Sequence, residues 1–273
     1  MRLAMRSESR NRLLVALIAA ACLLCATAAT AGARPLAEGT WWHPAQHLTW
    51  YWQLDGTVDN AEPVQAYDID GFENTAAEVA TLHARGVRVI CYIDVGTAEN
   101  FRPDYKQFPK SVLGRTNGWP GERWLDIRRL GVLEPIMHAR FQMCAEKGFD
   151  AVEPDNIEGY ANRSGFPLTA AEQLAYNEWV AEDVHGLGLA ILQKNDGEQT
   201  PALAPYFDGA LTEQCNQYKE CADFDPYLAA GEPVLNAEYS LRTPRFCPAD
   251  RAAGIMGARL NLALNGKLYE PCF

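Results

Sequence analysis

Short apolar runs that end in polar residues recur along this chain, separated by segments long enough to hold a helix. The clearest run is 87–94, Val-Arg-Val-Ile-Cys-Tyr-Ile-Asp. A strand with almost no polar alternation is covered on both faces, which is the condition of a parallel sheet flanked by helices. The same pattern reads strands over 49–54, 66–71, 124–127, 189–194, 209–213 and 234–239. One more lies in 148–160, where Pro154 cannot donate to a ladder and stops an apolar run. Helices are expected at 74–85, 132–147 and 169–185, the last opened by the capping-box pair Thr169 and Glu172. Parallel neighbours need crossover connections, and eight strands is the number of a closed barrel. The fold expected is therefore α/β, a single (β/α)8 TIM barrel over residues 34–273. Residues 95–123, rich in Gly, Pro and aromatics, are too long for an ordinary connection and read as a binding insertion. The run 259–264 fits an extra strand or a closing segment.

Residues 1–33 carry the marks of a cleaved secretory leader. Arg2, Arg6, Arg10 and Arg12 precede an apolar run from Leu13 to Leu24, and small-x-small cleavage sites follow at 29–33. Cys22 offers a lipoprotein anchor as an alternative. No later stretch approaches the ~20 apolar residues of a membrane span. Four of the 24 basic residues and one of the 35 acidic ones precede residue 34, so a chain starting there carries a net charge of −14. That balance argues against nucleic acid, whose binding depends on Lys and Arg at phosphates. It suits a neutral or cationic partner. Six cysteines lie beyond the leader, and an even number in an exported chain indicates disulfides, with fifteen pairings open. Proximity favours Cys215 with Cys221, Cys247 with Cys272, and hence Cys91 with Cys144. The expected protein is secreted and monomeric.

Polar residues gather at the carboxyl ends of the strands: Gln53, Asp68, Asp70, Tyr92, Asp94, Asp126, Glu153, Asp155, Lys194, Asn195, Glu213 and Glu238. In β/α barrels this face holds the catalytic groups, contributed by several strands. A single acid after a strand is often no more than a helix cap, and repetition over the strands is what carries the signal. The five histidines, three of them on expected helices, give neither a metal triad nor a Ser-His pair, so no metal or cofactor is expected. That also leaves a metal-dependent polysaccharide deacetylase without its ligands. What remains is carboxylates beside aromatics, among them Tyr51, Trp52, Trp119, Trp124, Tyr160 and Tyr239. Paired acids with sugar-stacking rings are what glycoside hydrolysis requires. A non-catalytic carbohydrate-binding barrel would use the same residue types, and the spacing of the carboxylates distinguishes the two.

The aromatic first strand, the Cys-Tyr-Ile-Asp-Val-Gly exit at 91–96, Trp-Leu-Asp-Ile at 124–127 and Ala-Val-Glu-Pro-Asp-Asn at 151–156 resemble glycoside hydrolase family 114. So do Gln-Lys-Asn at 193–195 and Thr-Glu-Gln at 212–214, in the same order over roughly residues 40–270. The resemblance implies a (β/α)8 barrel and an endo-α-1,4-polygalactosaminidase-like activity on partly deacetylated galactosamine polymers. Carried onto this chain, it makes Asp155 the nucleophile and Glu213 the general acid/base, with Glu153 and Glu238 as rivals. Tyr51, Asp68, Tyr92, Asp94, Trp124, Asp126, Glu153, Asn156, Lys194, Asn195, Glu238 and Tyr239 would then contact substrate. Glu158 is expected at the loop or rim.

Overall fold

The computed structural model describes residues 40–273, and the expected leader lies outside them. Eight parallel strands follow one another around the core: β1 Trp50–Gln53, β2 Ala66–Asp70, β3 Arg88–Asp94, β4 Ala151–Asp155, β5 in two pieces (Ala190–Ile191 and Gln193–Lys194), β6 Ala210–Glu213, β7 Val234–Glu238 and β8 Met256–Leu260. Each pairs with its neighbour in chain order. Within β5 the first piece pairs with β4 and the second with β6, while Leu192 N donates to Val152 O. No ladder joins β8 to β1. Side chains bridge that seam instead: Trp50 Nε1 donates to Met256 O at 2.7 Å, and Tyr269 OH donates to Trp50 O. Tyr269 belongs to a terminal strand, Tyr269–Pro271, which runs antiparallel along β8.

Two apolar clusters follow from strand alternation, because successive side chains face opposite sides. Trp50, Ala66, Ile90, Ala151, Ala190, Leu211, Leu235 and Met256 fill the barrel interior. Val89, Cys91, Ile93 and Val152 face outward, against helices that include Ala76–His83, Leu130–Lys147 and Ala170–Gly186. The third of these opens with the expected Thr169–Glu172 capping box. Small interior residues at Ala66, Ala151 and Ala190 leave room for the two tryptophans of β1.

One strand assignment is corrected. Residues 124–127 are not in the barrel. Glu122–Leu125 forms the middle of a three-stranded antiparallel sheet with Thr97–Glu99 and Leu113–Thr116, inside the long insertion. Four residues are too few to reveal whether their partners run parallel or antiparallel. The eighth barrel strand is β8, Met-Gly-Ala-Arg-Leu, which has no β-branched residue to signal it. The expected closing run at 259–264 overlaps its last two residues.

Three disulfides are present among the described residues: Cys91–Cys144, Cys215–Cys221 and Cys247–Cys272. The first ties β3 to the helix Leu130–Lys147 across 53 residues of sequence. Replacing both Cys91 and Cys144 by Ala should lower unfolding stability by about 4 kcal/mol, the loop-closure entropy restored to the unfolded chain. Urea titration of the oxidised wild type against the double variant reads this difference.

Candidate active site

Because the barrel strands are in register, one parity of residues points inward at the carboxyl end. Asp68 lies beside Ile90, Tyr92 beside Glu153, Asp94 beside Asp155, and Lys194 beside Leu211. Lys194 is at the centre. It is 1 % exposed, and its Nζ lies 2.7 Å from Glu153 Oε1, 2.8 Å from Asp155 Oδ1 and 3.5 Å from Glu213 Oε2. The Trp52 ring lies beneath the ammonium at 4.9 Å. Burial pushes the lysine pKa down, but Asp155, Glu153 and Glu213 together hold it well above its ordinary value, so the group stays charged.

Each catalytic candidate is held by further donors. Asp155 Oδ2 accepts from Tyr92 OH at 2.9 Å and from Asn156 Nδ2 at 3.2 Å. Glu213 Oε2 accepts from Asn195 Nδ2 at 3.1 Å, Asn195 Oδ1 takes the Glu213 amide at 2.9 Å, and Tyr239 OH donates to Glu213 Oε1. Burial, followed by the Asp155 charge for Tyr92 and the Glu213 charge for Tyr239, raises both phenols well above their usual range. Both therefore act as donors. Asn156, Asn195 and Gln214 all have positive φ, at 63°, 46° and 58°. Each follows the last residue of its strand, so the chain turns away at once beyond Asp155, Lys194 and Glu213 and leaves the two carboxylates at the lip. Asparagine tolerates this conformation better than most residues. Val95 and Gly96 donate their amides to Asp155 O, and a Cβ on Gly96 would sit 1.8 Å from Asn156 O. Only glycine fits there.

Beneath this layer lie two acids without solvent contact. Burial raises Glu153 to about 8 against the pull of Lys194. Burial and the Glu153 charge raise Asp68 well above the carboxylate range. No donor among the described residues satisfies either Asp68 oxygen, so burial disfavours the charged form.

The cleft above has two lobes. One, of about 800 Å³, is lined by Trp52, Asp70, Tyr92, Glu122, Asp155 and Lys194, among others. The second, of about 840 Å³, is lined by Tyr160, Asp196, Glu198, Tyr218 and Glu220, among others. Trp119, Glu158, Asn195, Glu213, Tyr239 and Leu262 border both. The insertion thus supplies one wall, with Phe101 and Trp119 exposed on it. Among the described residues, no three or more His, Cys, Asp and Glu are grouped to hold a metal ion, and no helix is long and apolar enough to cross a membrane.

Of the residues read from sequence, Tyr92, Asp155, Asn156, Lys194, Asn195, Glu213 and Tyr239 line the cleft, with Glu153 and Asp68 buried behind them. Five others do not meet there. Tyr51 faces outward and packs edge-on against Tyr67 and Tyr269. Glu238 also faces outward, where its Oε1 accepts the Asn216 amide at 2.9 Å. Asp126 pairs with Arg128. Asp94, 1 % exposed, stays out of the cleft itself: it turns back to the amides of Gly96 and Thr97 and reaches the site only through Asn156, whose Nδ2 donates to its Oδ2 at 2.9 Å. Trp124 is buried on the insertion sheet. The parity of each strand would have separated Tyr51 and Glu238 from the rest. Glu158, expected at the loop or rim, lies in the loop after β4 and borders both lobes.

The model of glycoside-hydrolase family GH114 matches residues 31–271. The chain belongs to this family. It is a glycoside hydrolase with a TIM-barrel fold. Among solved structures, that of Aspergillus fumigatus Ega3 in complex with galactosamine is 32% identical, covers 88% of this chain and 100% of its own, and superposes with a TM-score of 0.81. The glycoside hydrolase domain of PelA from Pseudomonas aeruginosa shares the fold at 13% identity and TM-score 0.64, over 80% of this chain and 96% of that one. No curated protein matches the sequence.

The buried acids give this family member a distinctive response to pH. Glu153 and Glu158 at about 8, and Asp196 at about 7, titrate well above their unfolded values. A carboxyl group raised in the folded state binds more protons folded than unfolded. Its stabilising contribution is complete below the unfolded pKa and is lost as pH rises through the folded value. The melting temperature should therefore fall as pH rises from about 4.5 to about 8. Lys194→Met, which strips Glu153 of its counter-ion, should cost about 3–5 kcal/mol at alkaline pH and distinctly less at pH 5. Urea unfolding at the two pH values checks the sign.

Proposed function

We propose that this glycoside hydrolase is secreted and cleaves α-1,4-linked galactosamine polymers by double displacement, with Asp155 as nucleophile and Glu213 as general acid/base. The observation that carries the reading is the shared ammonium. With Lys194 Nζ at 2.8 Å and 3.5 Å from the two carboxylates, their facing oxygens are at most about 6.3 Å apart, the sum of those distances. That bound accommodates the ~5 Å carboxyl separation of a retaining pair.

In the first step Glu213 gives its proton to the glycosidic oxygen while Asp155 attacks the anomeric carbon, and the aglycone half leaves as an alcohol. In the second, Glu213 takes a proton from water, and the resulting hydroxide displaces Asp155 from the sugar. Lys194, Tyr92 and Asn156 hold Asp155 in line for the attack. Tyr239 and Asn195 orient Glu213, which alternates between acid and base.

The likeness to Ega3, solved with galactosamine, supports an aminosugar substrate. So does charge. A polymer with free amines is a polycation near neutral pH, and the first lobe sets Asp70, Glu73, Glu99 and Glu122 around it against Arg102. The basic, apolar and small-residue order of residues 1–33 and the three disulfides support export.

The direct test is incubation of wild type, Asp155→Asn and Glu213→Gln with deacetylated α-1,4-galactosamine polymer, measuring reducing ends. The wild type should cut it, and each variant should lose about 10³-fold or more in kcat. Retention of full rate by both variants would refute the site assignment. Wild-type activity should also fall as salt is raised, because screening removes the attraction between cleft and polycation.

A further inference from the structure

Glu158 is an acid at the centre of the cleft that the two-carboxylate chemistry leaves unused. It sits three residues past Asp155, at the mouth of the 3₁₀ turn Gly159–Ala161. Its backbone is fixed: the carbonyl accepts from Ala161 N and from Asn162 Nδ2, each at 3.0 Å. The turn is packed from behind, since a Cβ on Gly159 would meet Leu168 at 3.3 Å and Trp124 at 3.4 Å. Trp124 therefore supports the segment that carries Glu158.

The side chain borders both lobes, beside Trp119, Glu213 and Tyr239. Its Oε2 is closed off from water and has no hydrogen-bond partner among the described residues. A buried carboxyl oxygen without a donor is costly unless a proton or a ligand satisfies the group. The ionisable groups that face it are Asp155, Asp196 and Glu213, together with Lys194, whose ammonium is already shared among three other acids. Burial, reinforced by the Asp155 charge, brings Glu158 to about 8. That shift favours its protonated form at neutral pH.

We propose that Glu158 reads the nitrogen of the aminosugar lying against the catalytic pair, taking a free ammonium as its partner and discriminating against the N-acetyl form. When an ammonium docks, Glu158 releases its proton to solvent and Oε1, the oxygen that is not closed off, accepts an N–H from the sugar. No covalent bond changes. An acetamido group offers no charge, so the carboxyl stays protonated and the ion pair is lost. A buried, charge-assisted contact of this kind contributes far more than one at the surface.

This inference rests on the reading of the chain as a galactosamine polymer hydrolase, and its test separates the two. Rates are compared on fully deacetylated and fully N-acetylated α-1,4-galactosamine oligomers. The wild type should favour the deacetylated one. Glu158→Gln should lose roughly 10-fold or more in kcat/KM on it, mainly through KM, while changing by less than about 2-fold on the acetylated one. Glu158→Asp, which keeps the charge, should recover part of the preference. Calorimetric titration with the deacetylated oligomer, in two buffers of different ionisation enthalpy, should show proton release near neutral pH for the wild type and a smaller release for Glu158→Gln. Equal losses on both oligomers, an unchanged preference, or equal proton release would overturn the role of Glu158. A wild type that binds the deacetylated oligomer with proton release but cuts neither would overturn the hydrolytic reading and leave Glu158 as an ammonium reader.

Discussion

One buried cation governs the centre of this molecule. Lys194 touches Glu153, Asp155 and Glu213 at once, and Asp68 stands behind Glu153. A single ammonium cannot neutralise four carboxyl groups in a medium of low dielectric, so some of them must keep their protons. Burial decides which. Asp68 and Glu153, sealed beneath the cleft, are pushed towards neutrality, while Asp155 and Glu213 at the lip keep both the ammonium and polar partners. The difference between the buried acids and those at the lip is thus a consequence of depth along inward-facing strand positions. Lys194 also joins the two parts of the sheet, because β5 pairs with β4 through one piece and with β6 through the other.

Much of this was legible in the sequence. Parallel strands joined by crossovers and polar residues collecting at their carboxyl ends follow from apolar patterning, whereas Asp155 and Glu213 are singled out only by the resemblance of their motifs to the family. The identity of one strand was not. Trp-Leu-Asp-Ile has the composition of a barrel strand, yet Trp124 and Leu125 bury against the insertion's own sheet, whereas β8 is assembled from Met, Gly, Ala, Arg and Leu. Side-chain parity was available but needs register to use. Glu238 and Tyr239 are adjacent, and only the alignment of Glu213 with Ala237 shows that Tyr239 shares the inward face while Glu238 caps a helix on the other.

What the sequence could not reveal is how the irregular segments return to the site. Asn156 and Asn195 look like sugar-binding amides, and they do reach the cleft. Their first task is conformational: left-handed backbone turns the chain away, and the same side chains then clamp Asp155 and Glu213. Nothing in the order of residues tells Glu158 from an ordinary loop acid. Its position depends on the packing of Gly159 against Trp124 and Leu168, which come from opposite sides in sequence.

The surplus of acids in the cleft has a physical logic. Burial first, and neighbouring carboxylates after it, push Glu153, Glu158 and Asp196 above the usual carboxylate range and favour their protonated forms. Such a site is less stable at alkaline pH than a neutral one would be. The same surplus complements a ligand that brings its own positive charges, because each ammonium replaces a proton rather than requiring a new anion. A neutral polysaccharide would gain nothing from this arrangement.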